Sequence, residues 1–241
     1  SMALIRYEKK EGIAVVIMDN GGNAHNLEFS RELNQILDLV ANDTEVNSMI
    51  LTSSDSKSFS VGIDVDWISK RFQEQDGAAI KEFMYNMNNI FKKLLLLPVP
   101  SIAAINGHAF GNGAIISCAC DFRFMRSDRG FFCFPEVDLG IPFLPGMLAF
   151  VNKAIPRYKF NEMYLSGRRV GAPELSEHHI IEKASASIDE LMKDATDFAK
   201  TFTKKKGIFG ELKKRLHKEI VAVIDTQDPA VIESLKLFIT D

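Results

Sequence analysis

The sequence has little of what usually announces a specialised protein. It holds three cysteines in 241 residues (Cys118, Cys120 and Cys133), too few for a disulfide scaffold. Cys118 and Cys120 stand two apart in an apolar run with no second pair, so no zinc site is expected. All three read as small buried hydrophobes in a reducing compartment. Neither sign of charge is in excess: 29 Lys and Arg against 32 Asp and Glu give a net charge of -3. That balance excludes a dedicated nucleic-acid binder, which usually carries a strong basic excess. Long apolar runs are missing too. The best candidate for a membrane span, Leu94 to Ile105, is short and broken by Pro98 and Pro100. No charged stretch followed by an apolar core marks a secretion signal, and Ser1-Met2 reads as an expression remnant ahead of Ala3. The sequon Asn42-Asp43-Thr44 then has no bearing. Ile239-Thr240-Asp241 is not a peroxisomal address. The expectation is a cytoplasmic protein with no membrane and no nucleic acid among its partners.

The common catalytic signatures are also absent. There is no Walker loop, and Gly111-Asn112-Gly113 lacks the third glycine of a dinucleotide fingerprint. No nucleophile elbow and no HExxH occur. The histidines, at 25, 108, 178, 179 and 217, lack metal spacing, so neither a metal nor a prosthetic group is expected. His178-His179 read as surface residues. His108 follows a strand end and is the histidine placed to line a pocket, although a lone histidine is more often structural.

What is present is a pattern. With 46% hydrophobic residues the chain is long enough to bury about three quarters of its unfolded surface. Ile13 to Met18 is a continuous apolar run that reads as a strand buried on both faces. Leu33, Ile36, Leu37 and Val40 recur at helical spacing. Ser48 to Thr52 reads as a strand ending in a polar loop, Ser53 to Ser58. Ile80, Phe83, Met84, Met87, Ile90, Phe91, Leu94 and Leu95 keep a helical rhythm that Pro98 and Pro100 end. Ser101 to Ile105 is a third strand, Ala114 to Ala119 a helix, and Phe122 to Met125 and Gly130 to Phe134 two more strands. Alternation of strands and helices predicts an α/β fold with a mostly parallel sheet. After residue 187 only helical stripes are expected: Ile188, Leu191, Met192, Ala195, Phe198, Ala199 and Phe202; then Phe209, Leu212, Leu216, Ile220 and Val223; then Val231 to Phe238. No internal repeat is readable.

Three segments carry chemistry together. Lys57-Ser58-Phe59-Ser60-Val61-Gly62-Ile63-Asp64 is a loop after a strand, with a glycine at the turn and an acid able to hold the backbone. Ala104 to Ala114 (AINGHAFGNGA) is a strand, a glycine-punctuated turn and a helix start, where free N–H groups favour negative charge. Phe134-Pro135-Glu136-Val137-Asp138-Leu139-Gly140-Ile141 sets one carboxylate after a proline in a mostly apolar run. Each is weak alone: glycine turns are common, and a Glu after Pro is usually a surface or capping residue.

In order and spacing these segments resemble the crotonase (enoyl-CoA hydratase/isomerase) superfamily, from the first strand to about residue 180. The resemblance implies a crotonase-like ββα spiral core over 1–187 and a C-terminal helical trimerisation region over 188–241. It implies an oxyanion hole from the backbone N–H groups of Ile63 and Asn112. It implies coenzyme A, as part of the substrate, running along Ser60, Val61, Gly62 and Asp64 beside Gly111. It also implies a homotrimer or dimer of trimers. Asn112 replaces a glycine common in the family, which asks its backbone to adopt the glycine's dihedrals. Family hydratases carry two glutamates. Here the first position is Ile115 and only the second, Glu136, remains. One carboxylate holds and activates a water poorly but can shuttle a proton, so the resemblance points to the single-glutamate Δ3,Δ2-enoyl-CoA isomerases. The apolar residues Ile115, Phe134 and Ile141 should push the Glu136 pKa toward about 6–7.

Two alternatives stay open. One is another acyl-CoA reaction on the same scaffold (a weak hydratase, decarboxylase or thioester hydrolase), which Asp138 or His108 reaching the acyl carbon would support. The other is a non-catalytic acyl-CoA-binding protein. A serine hydrolase lacks any Ser/His/Asp arrangement. Trp67, Phe72, Phe83, Phe143 and Leu144 are candidates for the acyl-tail pocket. Between Lys200 and Lys218 eight Lys/Arg face one acid, Glu211, which reads either as a solvated helix face or as a place to meet the phosphates of coenzyme A.

Overall fold

A computed structural model describes residues 3–241; Ser1 and Met2, the expected expression remnant, lie outside the described residues. The strands are β1 (Ile5–Lys10), β2 (Ile13–Met18), β3 (Ser48–Ser53), β4 (Ser58–Ser60), β5 (Ser101–Ile105), β6 (His108–Phe110), β7 (Phe122–Arg126), β8 (Phe132–Cys133) and β9 (Lys183–Ser185). The helices are α1 (Leu27–Asn42), α2 (Val65–Gln73), α3 (Gly77–Leu96), α4 (Asn112–Ala119), α5 (Glu136–Leu139), α6 (Pro145–Ala154), α7 (Arg157–Ser166), α8 (Ala172–Glu177), α9 (Ile188–Lys200), α10 (Lys206–Leu216) and α11 (Lys218–Ser234).

Six strands form one sheet in the order β1-β2-β3-β5-β7-β9, and β4-β6-β8 form a second. Apart from the β1–β2 hairpin every pairing is parallel. The chain therefore climbs in ββα turns: β3-β4, β5-β6 and β7-β8 each send the first strand to the large sheet and the second to the small one, then a helix. This is the ββα spiral. The repeat missing from the sequence is present in the architecture, because each turn meets different neighbours and needs different side chains.

The continuous apolar runs follow from cover on both faces of the large sheet. Ile13, Ile50, Ile102, Ala104 and Phe124 pack under Leu191, Ala195 and Ala199 of α9. The alternate residues Ala14, Val16, Met49, Leu51, Ala103, Ile105 and Met125 face the main core toward the small sheet. The strand β1 escaped the sequence reading because Arg6, Glu8, Lys9 and Lys10 are exposed on it, as suits a charged sheet edge. The short β4 and β6 fall inside segments expected as loop and turn, α2 was not foreseen, and the strand expected over Gly130 to Phe134 shrinks to β8.

The C-terminal part departs most. The stripe expected from Phe209 to Val223 breaks at His217, between α10 and α11. Leu212 and Leu216 are 57% and 74% exposed while Lys213 is buried. The cause is polar: Lys213 Nζ reaches Asp121 Oδ2 at 2.8 Å and the Leu94 carbonyl at 3.0 Å, which turns that face of α10 inward. The helix expected over Val231 to Phe238 is the end of α11. Leu235 stops it in the left-handed region (φ 54°), and a short tail follows. Buried Asp228 of α11 accepts from Gly146 N (2.9 Å) and Asn88 Nδ2 (2.9 Å), fixing the start of α6. No described helix is long and apolar enough to cross a membrane.

Candidate active site

A cavity of about 400 Å³ opens between α5, α6, the loops before α2 and α4, and the C-terminal tail. Glu136, Ile115, Ile63 and Asn112 all line it. Glu136 is the first residue of α5, behind Pro135, and is 7% exposed. Both carboxylate oxygens are buried without a hydrogen-bond partner among the described residues. Ile115, Ile141 and Phe143 supply apolar wall nearby. Burial pushes the Glu136 pKa up from 4.5 to about 8, beyond the expected 6–7, because desolvation penalises the charged form. Among the lining residues Glu136 is the one carboxylate.

Opposite stands a pair of loops. The first, 60–64, is tied to the chain before α1: His25 N donates to Gly62 O (2.8 Å) and Asp64 N to His25 O (2.9 Å). Ile63 sits between these bonds, and its own N–H has no hydrogen-bond partner among the described residues. Asn112 opens α4, so its N–H has no acceptor within the helix and lies at the positive end of the helix dipole. Gly62 (φ 90°) lets the loops touch: a Cβ there would stand 2.6 Å from Phe110 O and 3.2 Å from Asn112 N. At Gly113 a Cβ would stand 2.3 Å from Ser60 O. The dihedral demand expected of Asn112 falls instead on Gly111 (φ 56°), which lines the cavity; a Cβ there would lie 3.9 Å from Glu136 Oε1. Two residues whose backbone donors have no partner among the described residues thus line the same cavity as a carboxyl group that also has none.

Comparison with known proteins agrees. The family model for enoyl-CoA hydratase/isomerase matches residues 8–236. This chain belongs to the enoyl-CoA hydratase/isomerase family. It is 31% identical to Enoyl-CoA delta isomerase 3 of Arabidopsis thaliana over 79% of this chain and 82% of that protein. It is 28% identical to the Short-chain-enoyl-CoA hydratase of Clostridium acetobutylicum, over 91% of this chain and 83% of that one. Its fold matches the enoyl-CoA hydratase from Bacillus halodurans with a TM-score of 0.87 at 21% identity, covering 97% and 94% of the two chains. The crotonase-type fold is therefore firm, while both isomerases and hydratases are among the relatives.

Within that family frame the expected residues divide. Val61, Ile63, Gly111, Asn112 and Glu136 line the cavity. Ser60, Gly62 and Asp64 do not: Ser60 is fully buried, and Asp64 caps α2 by accepting from Trp67 N (3.0 Å). Of the five candidates for the tail pocket, Phe143 and Leu144 line it, while Trp67 packs edge-on against Phe83. His108 and Asp138 are not at the cavity; His108 Nδ1 instead accepts from Phe131 N (3.1 Å). The histidine of the site is His25, which sequence reasoning passed over; its only signal was a place just before the α1 cap Asn26. The tail residues Lys236, Leu237 and Phe238 were also missed as lining. In the basic segment Lys200 pairs with Glu11 (2.9 Å), Lys206 with the Asp43 carbonyl, Lys213 with Asp121 and Arg215 with Glu211 (3.1 Å). No described trio of His, Cys, Asp or Glu is placed to hold a metal ion.

Proposed function

We propose that the chain is a Δ3,Δ2-enoyl-CoA isomerase. The observation that carries this reading is Glu136, a buried carboxyl without a partner that faces Ile115 rather than a second acid. In its ionised form Glu136 takes a proton from C2 of a 3-enoyl-CoA. The electrons move through the C3–C4 double bond, and the same carboxyl returns the proton at C4, leaving the double bond in conjugation. The dienolate between these steps carries its charge on the thioester oxygen, which the N–H groups of Ile63 and Asn112 receive. One such donor is typically worth about 3–4 kcal/mol of barrier. A pKa near 8 suits a group that must both take and give the proton. Coenzyme A enters only as part of the substrate, with its pantetheine arm passing the exposed Val61 at the mouth.

Hydration needs a second group to hold and activate water, and Ile115 cannot supply it. The deciding experiment incubates the protein separately with 3-enoyl-CoA and 2-enoyl-CoA. Conjugated product from the first and little hydration of the second is expected. Hydration as fast as isomerisation overturns the reading.

Assembly as a trimer or dimer of trimers is supported by α10, where Ile208, Leu212 and Leu216 form an apolar row 57%, 57% and 74% exposed. Sedimentation should give three or six times the 27.0 kDa chain mass. A cytoplasmic setting is supported by the buried free thiols of Cys118, Cys120 and Cys133.

A further inference from the structure

His25 has no role in the proton shuttle, yet it is fully buried at the junction of the two donor loops. Its Nε2 lies 3.0 Å from Ser60 Oγ and its Nδ1 2.7 Å from Asn112 Nδ2. Its ring stacks on Phe29, centroids 4.2 Å apart. The proton positions follow by counting. Ser60 has one hydroxyl proton, and it donates to Asn23 O at 2.9 Å. Its oxygen already accepts from Gly62 N at 3.1 Å. The remaining contact therefore takes a proton from His25 Nε2. A neutral imidazole then has a bare Nδ1, which accepts from the Asn112 amide. The opposite orientation of that amide would need both ring nitrogens protonated, an imidazolium with no acid beside it in a fully buried site. Burial also holds the His25 pKa down at about 3, so the neutral form persists at any working pH.

We propose that His25 is a positioning residue: bonded to Ser60 on one side and Asn112 on the other, it fixes the two loops so that the N–H groups of Ile63 and Asn112 converge on one oxygen. The geometry makes each end matter. Ser60 Oγ holds Gly62 N, one residue before the first donor. The Asn112 side chain belongs to the residue that supplies the second. The backbone bonds on either side of Ile63 tie the first loop to His25 itself, so one residue grips both donors. Asn112, in place of the more usual glycine, thereby gains a use: its amide is the hook by which His25 holds α4. A neutral ring suits the task, since a cation there would move with pH and compete for the oxyanion.

The inference rests on the oxyanion-hole part of the proposed function and not on Glu136, so the two can fail separately. The test uses the full chain, with three variants: His25→Leu, which removes both bonds; His25→Gln, whose amide can donate to Ser60 and accept from Asn112; and Asn112→Ala, which keeps the backbone N–H. Two readouts are taken. One is the red shift in absorbance of a bound 2,4-dienoyl-CoA, which reports polarisation of its carbonyl without any turnover. The other is kcat and KM for 3-enoyl-CoA. Misplacing a catalytic group by about 1 Å costs up to about a hundredfold in rate. His25→Leu is therefore expected to lower kcat about ten- to a hundredfold with KM within about threefold, and to shrink the red shift. His25→Gln should keep most of both. Asn112→Ala should lose a similar amount, and adding His25→Leu to it should cost little more. A His25→Leu protein with wild-type red shift and kcat overturns the proposal. So does equal loss in the Leu and Gln variants alongside equal loss of Tm, which would mark ring packing on Phe29 as the role. A wild-type protein that binds the dienoyl-CoA with no red shift overturns it as well. A normal red shift with no isomerisation leaves His25 in place and removes the isomerase reading.

Discussion

On the α5 side of the cavity, Glu136 has both oxygens unpaired, whereas on the loop side the side chains of Asn23, His25, Ser60 and Asp64 are all engaged. Glu136 is buried, and an unpaired buried carboxyl is the costlier arrangement. Under the proposed function the contrast separates groups that react from groups that hold. On the loop side the polar side chains hold the loops together, and the N–H groups of Ile63 and Asn112 have no partner among the described residues. The α5 side leaves its acid free, and the acid responds by keeping its proton. In the proposed isomerisation, charge develops between these two sets of unpaired atoms.

Removing the reactive group should give the largest effect. Glu136→Gln keeps the shape and removes the base, so isomerisation is expected to fall about a thousandfold, with acyl-CoA affinity within a few-fold, measured by turnover and calorimetry. Unchanged turnover would remove Glu136 from the chemistry. Ile115→Glu blurs the comparison from the other direction, by giving the α5 side a facing partner. Two acids sharing one cavity raise one another's pKa. Isomerisation should drop about tenfold and hydration of 2-enoyl-CoA should become measurable, because water can now be held from both sides. Absence of any hydration in a folded Ile115→Glu protein would mean that the missing second acid is not what separates the two activities here.

The pH response is the next largest. If Glu136 is the base, as proposed, its pKa near 8 makes kcat/KM fall about tenfold per unit below that value and level off above it. Stability should run the other way. The folded pKa is above the ordinary 4.5, so the folded state binds the proton more tightly, and stability is lost as pH rises from 4.5 through 8. The slope in that window is at most about 1.4 kcal/mol per unit. Glu136→Gln should remove this slope and raise Tm at pH 8, a gain in stability from the same substitution that abolishes activity. A Tm profile unchanged by the substitution would mean that Glu136 is solvated in solution.

The reactive side was more legible in the sequence than the holding side. Glu136, Ile63, Asn112 and Ile115 are reached through the family that their segments resemble, and the strands buried on both faces announce themselves as apolar runs. The parts that escaped lack a period. The strand β1 is charged because it is an edge. The strands β4, β6 and β8 span three residues or fewer, below the length at which alternation is visible. The burial of Lys213 in α10 is set by Asp121, 92 residues earlier in the chain, and no local pattern encodes that. His25 was overlooked for the same reason: its partners Ser60 and Asn112 are 35 and 87 residues away. His108 looked better placed because it sits next to the glycine turn, yet β6 aims it at Phe131 instead.

The smallest expected effect concerns the end of the cavity lined by the C-terminal tail. Leu237 is buried there, and its tail is pinned to the α5 cap by Ile239 N donating to Gly140 O at 2.8 Å. Phe238 leans edge-on against Phe72, centroids 5.7 Å apart, so the tail is held by contacts at its margins. Because Gly140 ends the helix that begins at Glu136, the wall proposed to bound the acyl chain and the wall that carries the proposed base share one element. Leu237→Ala opens that end by three carbons' worth of side chain. A methylene in an apolar pocket is worth about 1–3 kcal/mol when fully used, but a wall held only at its margins can shift inward to fill part of the gap, so the change should be nearer threefold. The expected result is a rise of about threefold in kcat/KM for a long 3-enoyl-CoA relative to a short one, with the pH profile unmoved. A shift in the pH profile as well would mean that the tail holds α5, and with it Glu136, and that the cavity's far end belongs to the holding side of the comparison.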